Sequence, residues 1–169
     1  MENIIPGLYV GDDKDYEKIK DNKSWKTCRC CKYGPGGHQD TLQYHTLAAP
    51  KGINYLSVER PNRIALNYID ANDSHLIPPP MIEAGLRYVD QMLTAGYKVL
   101  IACNAGHSRG PTTAMLYLRA IGDLTGNFHS SENKFRALYD KYDPGIGTRQ
   151  FCQGNWHTFD RLLRGKDAA

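Results

Sequence analysis

Fifteen residues, Val99–Thr113 (VLIACNAGHSRGPTT), constrain the fold more than any other part of this chain. Val99-Leu100-Ile101-Ala102 is a short apolar run without polar alternation, the pattern of a strand covered on both faces. Cys103 follows, then five residues, then Arg109. From Thr112 to Ala120 the composition is that of a helix. A strand that passes through a tight loop into a helix surrounds the loop with backbone N–H groups and a helix N-terminus, and both favour an anion. The same dipoles ease the loss of a thiol proton there. An arginine closing the loop offers a planar fork that grips two oxygens of a phosphate at once. A cysteine alone at a strand end is an ordinary core residue. Joined to a cradle and a bidentate clamp, it points to phosphoryl transfer onto sulfur.

The rest of the chain fits around that unit. It has 169 residues, 41% apolar and 23% charged, enough for one domain with a real core. A formal net charge of +3 excludes a strongly nucleic-acid-like balance and allows a local basic pocket. No apolar run is long enough to span a bilayer. Five cysteines, an odd count, and a first segment (MENIIPGLYVGDD) without the features of an export signal lead us to expect reduced thiols in a cytosol.

Ile4–Gly11 reads as a strand pair broken at Pro6-Gly7, Asp12–Asn22 as a helix and Trp25–Cys31 as a strand. Gly34–Ile53 reads as a long loop with at most one helical turn, and loops of that length are usually functional. Arg63–Ile69 alternates as a strand does. Met81–Thr94 places Ile82, Leu86, Val89, Met92 and Leu93 on one helical face. Ser130–Tyr142 and Arg149–Arg164 read as closing helices, and Gly165–Ala169 as a frayed tail. The expected fold is therefore a single α/β domain spanning residues 1–164, with a central sheet of four or five mostly parallel strands and helices on both faces.

A phosphate monoester needs a proton at its leaving oxygen, and a carboxylic acid beside the loop would supply it. Asp70 and Asp73 follow the Arg63–Ile69 strand. Asp73, further out of the strand, is the preferred donor and Asp70 the second choice. Asn104, Ala105, Gly106, His107 and Ser108, with Arg109, are the expected phosphate-binding residues. Small side chains at Ala105 and Gly106 let the backbone turn inward. Cys28, Cys30, Cys31 and His38 offer four metal-ligand types, but the paired C-x2-C spacing is missing and no metal is expected. Cys31 is a candidate reversible disulfide partner for Cys103. Lys32, Lys51, Arg60 and Arg63 form either a basic rim or ordinary solvated charges.

CNAGHSRG resembles the C-x5-R signature of the cysteine-dependent protein tyrosine phosphatases, and the size and surroundings resemble their dual-specificity branch. Ile5–Gly11 is similar to the N-terminal segment of that branch. Ala71-Asn72-Asp73, thirty residues before the cysteine, is similar to its general-acid loop. Cys31-Lys32…His38, Leu66–Asp70 and Tyr142–Gly145 are similar to a phage or metagenomic subgroup. The resemblance implies a dual-specificity phosphatase fold, catalysis by Cys103, Arg109 and Asp73, a phosphocysteine intermediate and no cofactor. It implies a phosphoprotein (Tyr, Ser or Thr) as substrate. RNA 5′ ends, nucleotides or phosphoinositides are the alternative, so a nucleic acid enters only as substrate. A catalytically weak phospho-ligand-binding module is the alternative of another class. The expected pocket is shallow and broad, and no membrane partner is expected. Two positions depart from the family pattern. Ala102 stands where a histidine usually orients the loop, and Gly110 where a Ser or Thr usually helps the thiolate leave.

Overall fold

The computed structural model describes residues 1–165. The expected frayed tail lies almost wholly outside them. Its elements are strands β1 (Glu2–Ile5), β2 (Leu8–Gly11), β3 (Trp25–Arg29), β4 (Ser57–Arg60), β5 (Arg63–Leu66) and β6 (Lys98–Ala102). The helices are α1 (Asp13–Ile19), α2 (His38–Leu42), α3 (Pro79–Thr94), α4 (Arg109–Ile121), α5 (Phe128–Leu138) and α6 (Ile146–Gly154). A 3-10 turn covers Ser74–Leu76.

The strands form one sheet in the order β1-β2-β6-β3-β5-β4. The four inner strands run parallel, and β1 and β4 close the edges as antiparallel hairpin arms. Six strands replace the four or five expected. The additional one is β4, whose Ser-Val-Glu-Arg sequence buries only Val58 and so carries almost no apolar signal.

β6 runs down the middle, and its side chains divide between two cores. Val99, Ile101 and Cys103 join the large core built from α3, α4, α5 and α6, whereas Leu100 and Ala102 face Tyr16 and Ile19 of α1. Burial on both faces explains the unbroken apolar run. Every residue of α4 from Gly110 to Ala120 is buried, so this helix is interior on all sides. It starts at Arg109, three residues earlier than the composition suggests, and ends at Gly122 in the left-handed conformation.

Three helices are shorter than expected. α1 ends at Ile19, three residues before Asn22. α5 is capped by the Asn127 side chain on the Ser130 N–H and stops at Leu138, because Tyr139 turns to an extended backbone. α6 stops at Gly154, and residues 155–164 continue as turns that still bury Trp156 and Phe159. No described helix is long and apolar enough to cross a membrane.

Candidate active site

Parallel strands deliver their C-terminal ends to one edge of the sheet, where α/β proteins place their ligands. Gly11, Arg29 and Ala102 lie in register there, with Ala65 beside Arg29. The four segments that leave this edge are Asp12-Asp13, Cys30–Tyr33, Asn67–Asp70 and the loop Cys103–Ser108. Every loop residue expected to bind phosphate is therefore gathered at one place.

The loop is curled by contacts from outside it. The Asn104 carbonyl accepts the Asp13 N–H at 3.2 Å, the His107 carbonyl the Asp143 N–H at 2.9 Å, and the Gly106 carbonyl the Tyr139 hydroxyl at 2.7 Å. With these carbonyls engaged outward, the amides of residues 104–108 have no protein acceptor among the described residues. That is the donor pattern of an anion nest. Gly106 has φ +74°, and a Cβ there would sit 3.2 Å from the Gly11 carbonyl carbon and oxygen, so both conformation and space demand glycine. His107 donates from Nδ1 to the Lys141 carbonyl at 3.1 Å, which fixes its ring at the rim.

Arg109 is held in its fork geometry by two acceptors. Nη1 donates to the Tyr68 carbonyl at 2.9 Å and Nη2 to Asn104 Oδ1 at 2.7 Å. Nε is buried and has no hydrogen-bond partner, and the nearest carboxylate oxygen, Asp70 Oδ2, is 3.8 Å away. A buried, unsatisfied cationic donor beside an amide nest is what a bound oxyanion would complete. Cys103 is 2% exposed at the base of this arrangement. Gly110 packs against it, and a Cβ at 110 would lie 3.4 Å from its sulfur.

The two candidate acids differ sharply. Asp70 Oδ1 accepts from the Ser108 hydroxyl at 3.1 Å and from the Thr148 hydroxyl at 3.0 Å, which ties its segment to both the loop and α6. The Asp73 carboxylate is 62% exposed and turned into its own turn, where it accepts the His75 N–H at 2.9 Å and the His75 ring Nδ1–H at 3.0 Å. The structure brings Asp70 to the loop and leaves Asp73 at the surface. The sequence-based preference for Asp73 rests on distance from the strand, which does not show how a turn carboxylate is oriented. Residues 71–73 rest on Gly147, where a Cβ would meet the Ala71 carbonyl oxygen at 2.1 Å.

The long insert is fastened down. His38 is fully buried at the start of α2, donating from Nε2 to the Asn54 carbonyl at 2.7 Å and accepting at Nδ1 from the Tyr44 hydroxyl at 3.1 Å. Burial pulls its pKa below the usual 6.5, which favours the neutral ring. Between the insert and the Asn67–Pro78 segment runs a cleft of about 200 Å³, lined by Lys32, Tyr55, Asn67 and Leu76 among others. Of the four basic residues that could form a rim, Lys32 borders this cleft. Arg60 and Arg63 flank the β4–β5 turn at the opposite edge of the sheet, because β5 starts there.

All five cysteines are free and buried. Cys28 and Cys30 lie 3.9 Å apart, sulfur to sulfur, and Cys30 donates to the Thr113 hydroxyl. No group of three or more His, Cys, Asp or Glu side chains among the described residues is placed to hold a metal ion. Burial pushes the Cys31 thiol up to about 12, so it is a poor attacking group for disulfide exchange with Cys103. Asp13 and Tyr139 bond the loop directly, and Arg29 and Thr148 bond its partners Asp13 and Asp70; strand register and helix packing place all four, and these leave no local signature.

No family model matches the chain, and no curated protein matches it. Solved structures do. The human tyrosine phosphatase-like serine/threonine/tyrosine-interacting protein superposes with a TM-score of 0.65 at 16% identity, covering 94% of this chain and 97% of that one. DUSP15 gives 0.65 at 18% identity, covering 97% and 92%. Human DUSP28 gives 0.63 at 13% identity, covering 97% and 98%. At these identities the likeness speaks for architecture alone, and it extends over nearly the whole of each chain. The chain has the α/β fold of the dual-specificity, cysteine-dependent phosphatases.

Proposed function

We propose that this chain hydrolyses phosphate monoesters through a phosphocysteine, with phosphoproteins as the substrate class. The single observation that carries the reading is the Cys103–Arg109 cradle: a buried thiol, amides without acceptors, and a guanidinium whose buried Nε lacks a partner. In the first step Cys103 sulfur bonds to phosphorus and the phosphorus–oxygen bond to the leaving group breaks. Arg109 and the amides of Asn104 to Ser108 hold the equatorial oxygens. The departing oxygen takes a proton from a carboxylic acid, and water then attacks phosphorus as the sulfur–phosphorus bond breaks, passing its proton to the same carboxylate.

For that acid we choose Asp70 over Asp73. Its carboxylate lies 3.8 Å from Arg109 Nε and on the Ser108 hydroxyl, whereas Asp73 is turned to His75. We assign the remainder of a peptide substrate to the cleft between the insert and the Asn67–Pro78 segment, with Tyr55 and Leu76 in its walls. Nucleotides, RNA 5′ ends and phosphoinositides form the second reading.

The test is hydrolysis of para-nitrophenyl phosphate and of an alkyl phosphate by the wild type, Cys103→Ser, Asp70→Asn and Asp73→Asn. Cys103→Ser should be inactive. Loss of the true acid should cost about 10²–10⁴-fold on the alkyl ester and much less on the activated aryl ester. Turnover that survives Cys103→Ser refutes the covalent mechanism. A wild type that binds phosphate ligands without turnover points to a binding module instead.

A further inference from the structure

Arg29 is the most unusual charged residue outside the cradle. It ends β3 with its side chain fully buried, in register with Ala102 of β6. Its guanidinium stacks over the Tyr16 ring at 4.6 Å, on the sheet face where Ala102 also packs. Nη2 is paired with Asp13 Oδ1. Nε and Nη1 are buried without a hydrogen-bond partner. An arginine buried in this way is a poor device for stability, because an apolar side chain of similar volume would avoid the desolvation of the charge.

Its connections lead to the loop. Asp13 Oδ2 accepts from Asn104 Nδ2 at 3.2 Å, and the Asp13 N–H donates to the Asn104 carbonyl at 3.2 Å. Asn104 Nδ2 also donates to the Tyr33 carbonyl at 3.0 Å, so both of its amide hydrogens are committed. That orientation turns Asn104 Oδ1 to Arg109 Nη2, at 2.7 Å. The sequence of contacts is continuous: Arg29 to Asp13, Asp13 to Asn104, Asn104 to Arg109.

We propose that Arg29 is a positioning residue for the phosphate cradle. Through Asp13 it fixes the Asn104 amide and so aims the Arg109 fork. It also supplies a permanent positive charge beneath the loop, at the strand position next to Ala102. The proposal rests on the phosphatase reading. Asp13 is the relay, and its removal should resemble the removal of Arg29.

The experiment measures kcat and KM for para-nitrophenyl phosphate in the wild type, Arg29→Met, Arg29→Lys, Asp13→Asn and the double variant Arg29→Met/Asp13→Asn, with folding checked by circular dichroism. Arg29→Met should lower kcat by about 30-fold, the size of one lost charge-assisted hydrogen bond. KM should move less than about threefold, because the error lies in aim rather than in uniform binding. Arg29→Lys, which restores the charge, should recover about a third or more of the lost activity on a logarithmic scale. The double variant should be no worse than the poorer single variant, the mark of residues acting in one chain. Folded Arg29→Met with unaltered kcat overturns the proposal, as do losses that multiply in the double variant. If Arg29→Met does not fold, Asp13→Asn decides, and unaltered kcat there overturns the proposal equally. A wild type with no Cys103-dependent turnover defeats the phosphatase reading itself, a result distinct from all of these.

Discussion

Replacing Gly110 by serine should accelerate this protein, and the size of the gain follows from the packing around Cys103. Gly110 is the second residue of α4. A Cβ there would lie 3.1 Å from the Cys103 amide nitrogen, 3.3 Å from the Ala102 carbonyl carbon and 3.4 Å from the Cys103 sulfur. A serine hydroxyl, one bond beyond that Cβ, reaches hydrogen-bonding distance of the sulfur. During hydrolysis of the phosphocysteine the sulfur departs as a thiolate. A hydrogen bond to a charged group contributes about 1.5–3 kcal/mol, or roughly 10- to 150-fold on that step. Crowding against the Cys103 backbone should lower global stability by about 1–3 kcal/mol without entering the barrier. In the wild type none of the described hydroxyls hydrogen-bonds to Cys103: Ser108 donates to Asp70, and Thr113 donates to the Arg109 carbonyl. Stopped-flow mixing with para-nitrophenyl phosphate should therefore show a burst of about one nitrophenolate per site, followed by slow turnover. Gly110→Ser should abolish the burst and raise kcat. Gly110→Ala, with the same Cβ and no hydroxyl, should keep the burst and lose the same stability. Linear wild-type time courses together with an unimproved serine variant would refute this account of the second step.

Further expectations concern the parts around the cradle. Gly106→Ala requires an alanine at φ +74° with its Cβ against Gly11, and activity should fall by more than about tenfold, as seen by steady-state kinetics. Gly147→Ala drives a methyl into the Ala71 carbonyl. It should displace the segment carrying both candidate acids, so hydrolysis of an alkyl phosphate should fall further than that of para-nitrophenyl phosphate. His38 has its pKa depressed by burial, so its neutral form is favoured by folding. The stability it contributes is fully present above about pH 6.5 and is lost as the pH falls through the lower folded value. Melting temperatures taken from pH 8 to pH 5 should drop more steeply for the wild type than for His38→Gln, and parallel curves would remove His38 from this role.

Much of this site can be read in the chain before any coordinates. The β6–loop–α4 unit is legible because a strand buried on both faces must be apolar throughout, and because Cys103, Gly106 and Arg109 fall at positions the cradle requires. Met81–Thr94 is legible by helical period, and its observed helix differs only by beginning at Pro79. What stays hidden depends on register. Arg29 lies beside Ala102 because β3 pairs with β6 in one particular alignment, and a shift of one residue would turn it to the other core. Asp70 differs from Asp73 because Tyr68 enters the core and fixes which way its neighbours point. The Arg149–Arg164 helix fails for a different reason: Phe151, Trp156 and Phe159 are all buried, but the last two lie on turns rather than on a helix. Burial shows in composition, whereas the backbone path after Gly154 does not.

The placement of Arg109 at the head of α4 bears on how this protein meets different substrates. Segments that adapt to ligands are usually drawn from the least protected parts of a molecule. Here the cradle continues directly into a helix with no solvent face, so it cannot yield unless the core yields with it. Amide exchange in α4 from Thr112 onward should then follow global opening. Accommodation falls to the exposed stretches beside it, Pro50–Tyr55 and Asn72–Leu76, which can vary in chemistry without disturbing the core. The phosphate end of a ligand meets a rigid receptor and the remainder meets an adaptable one, so chemistry and selectivity can change independently.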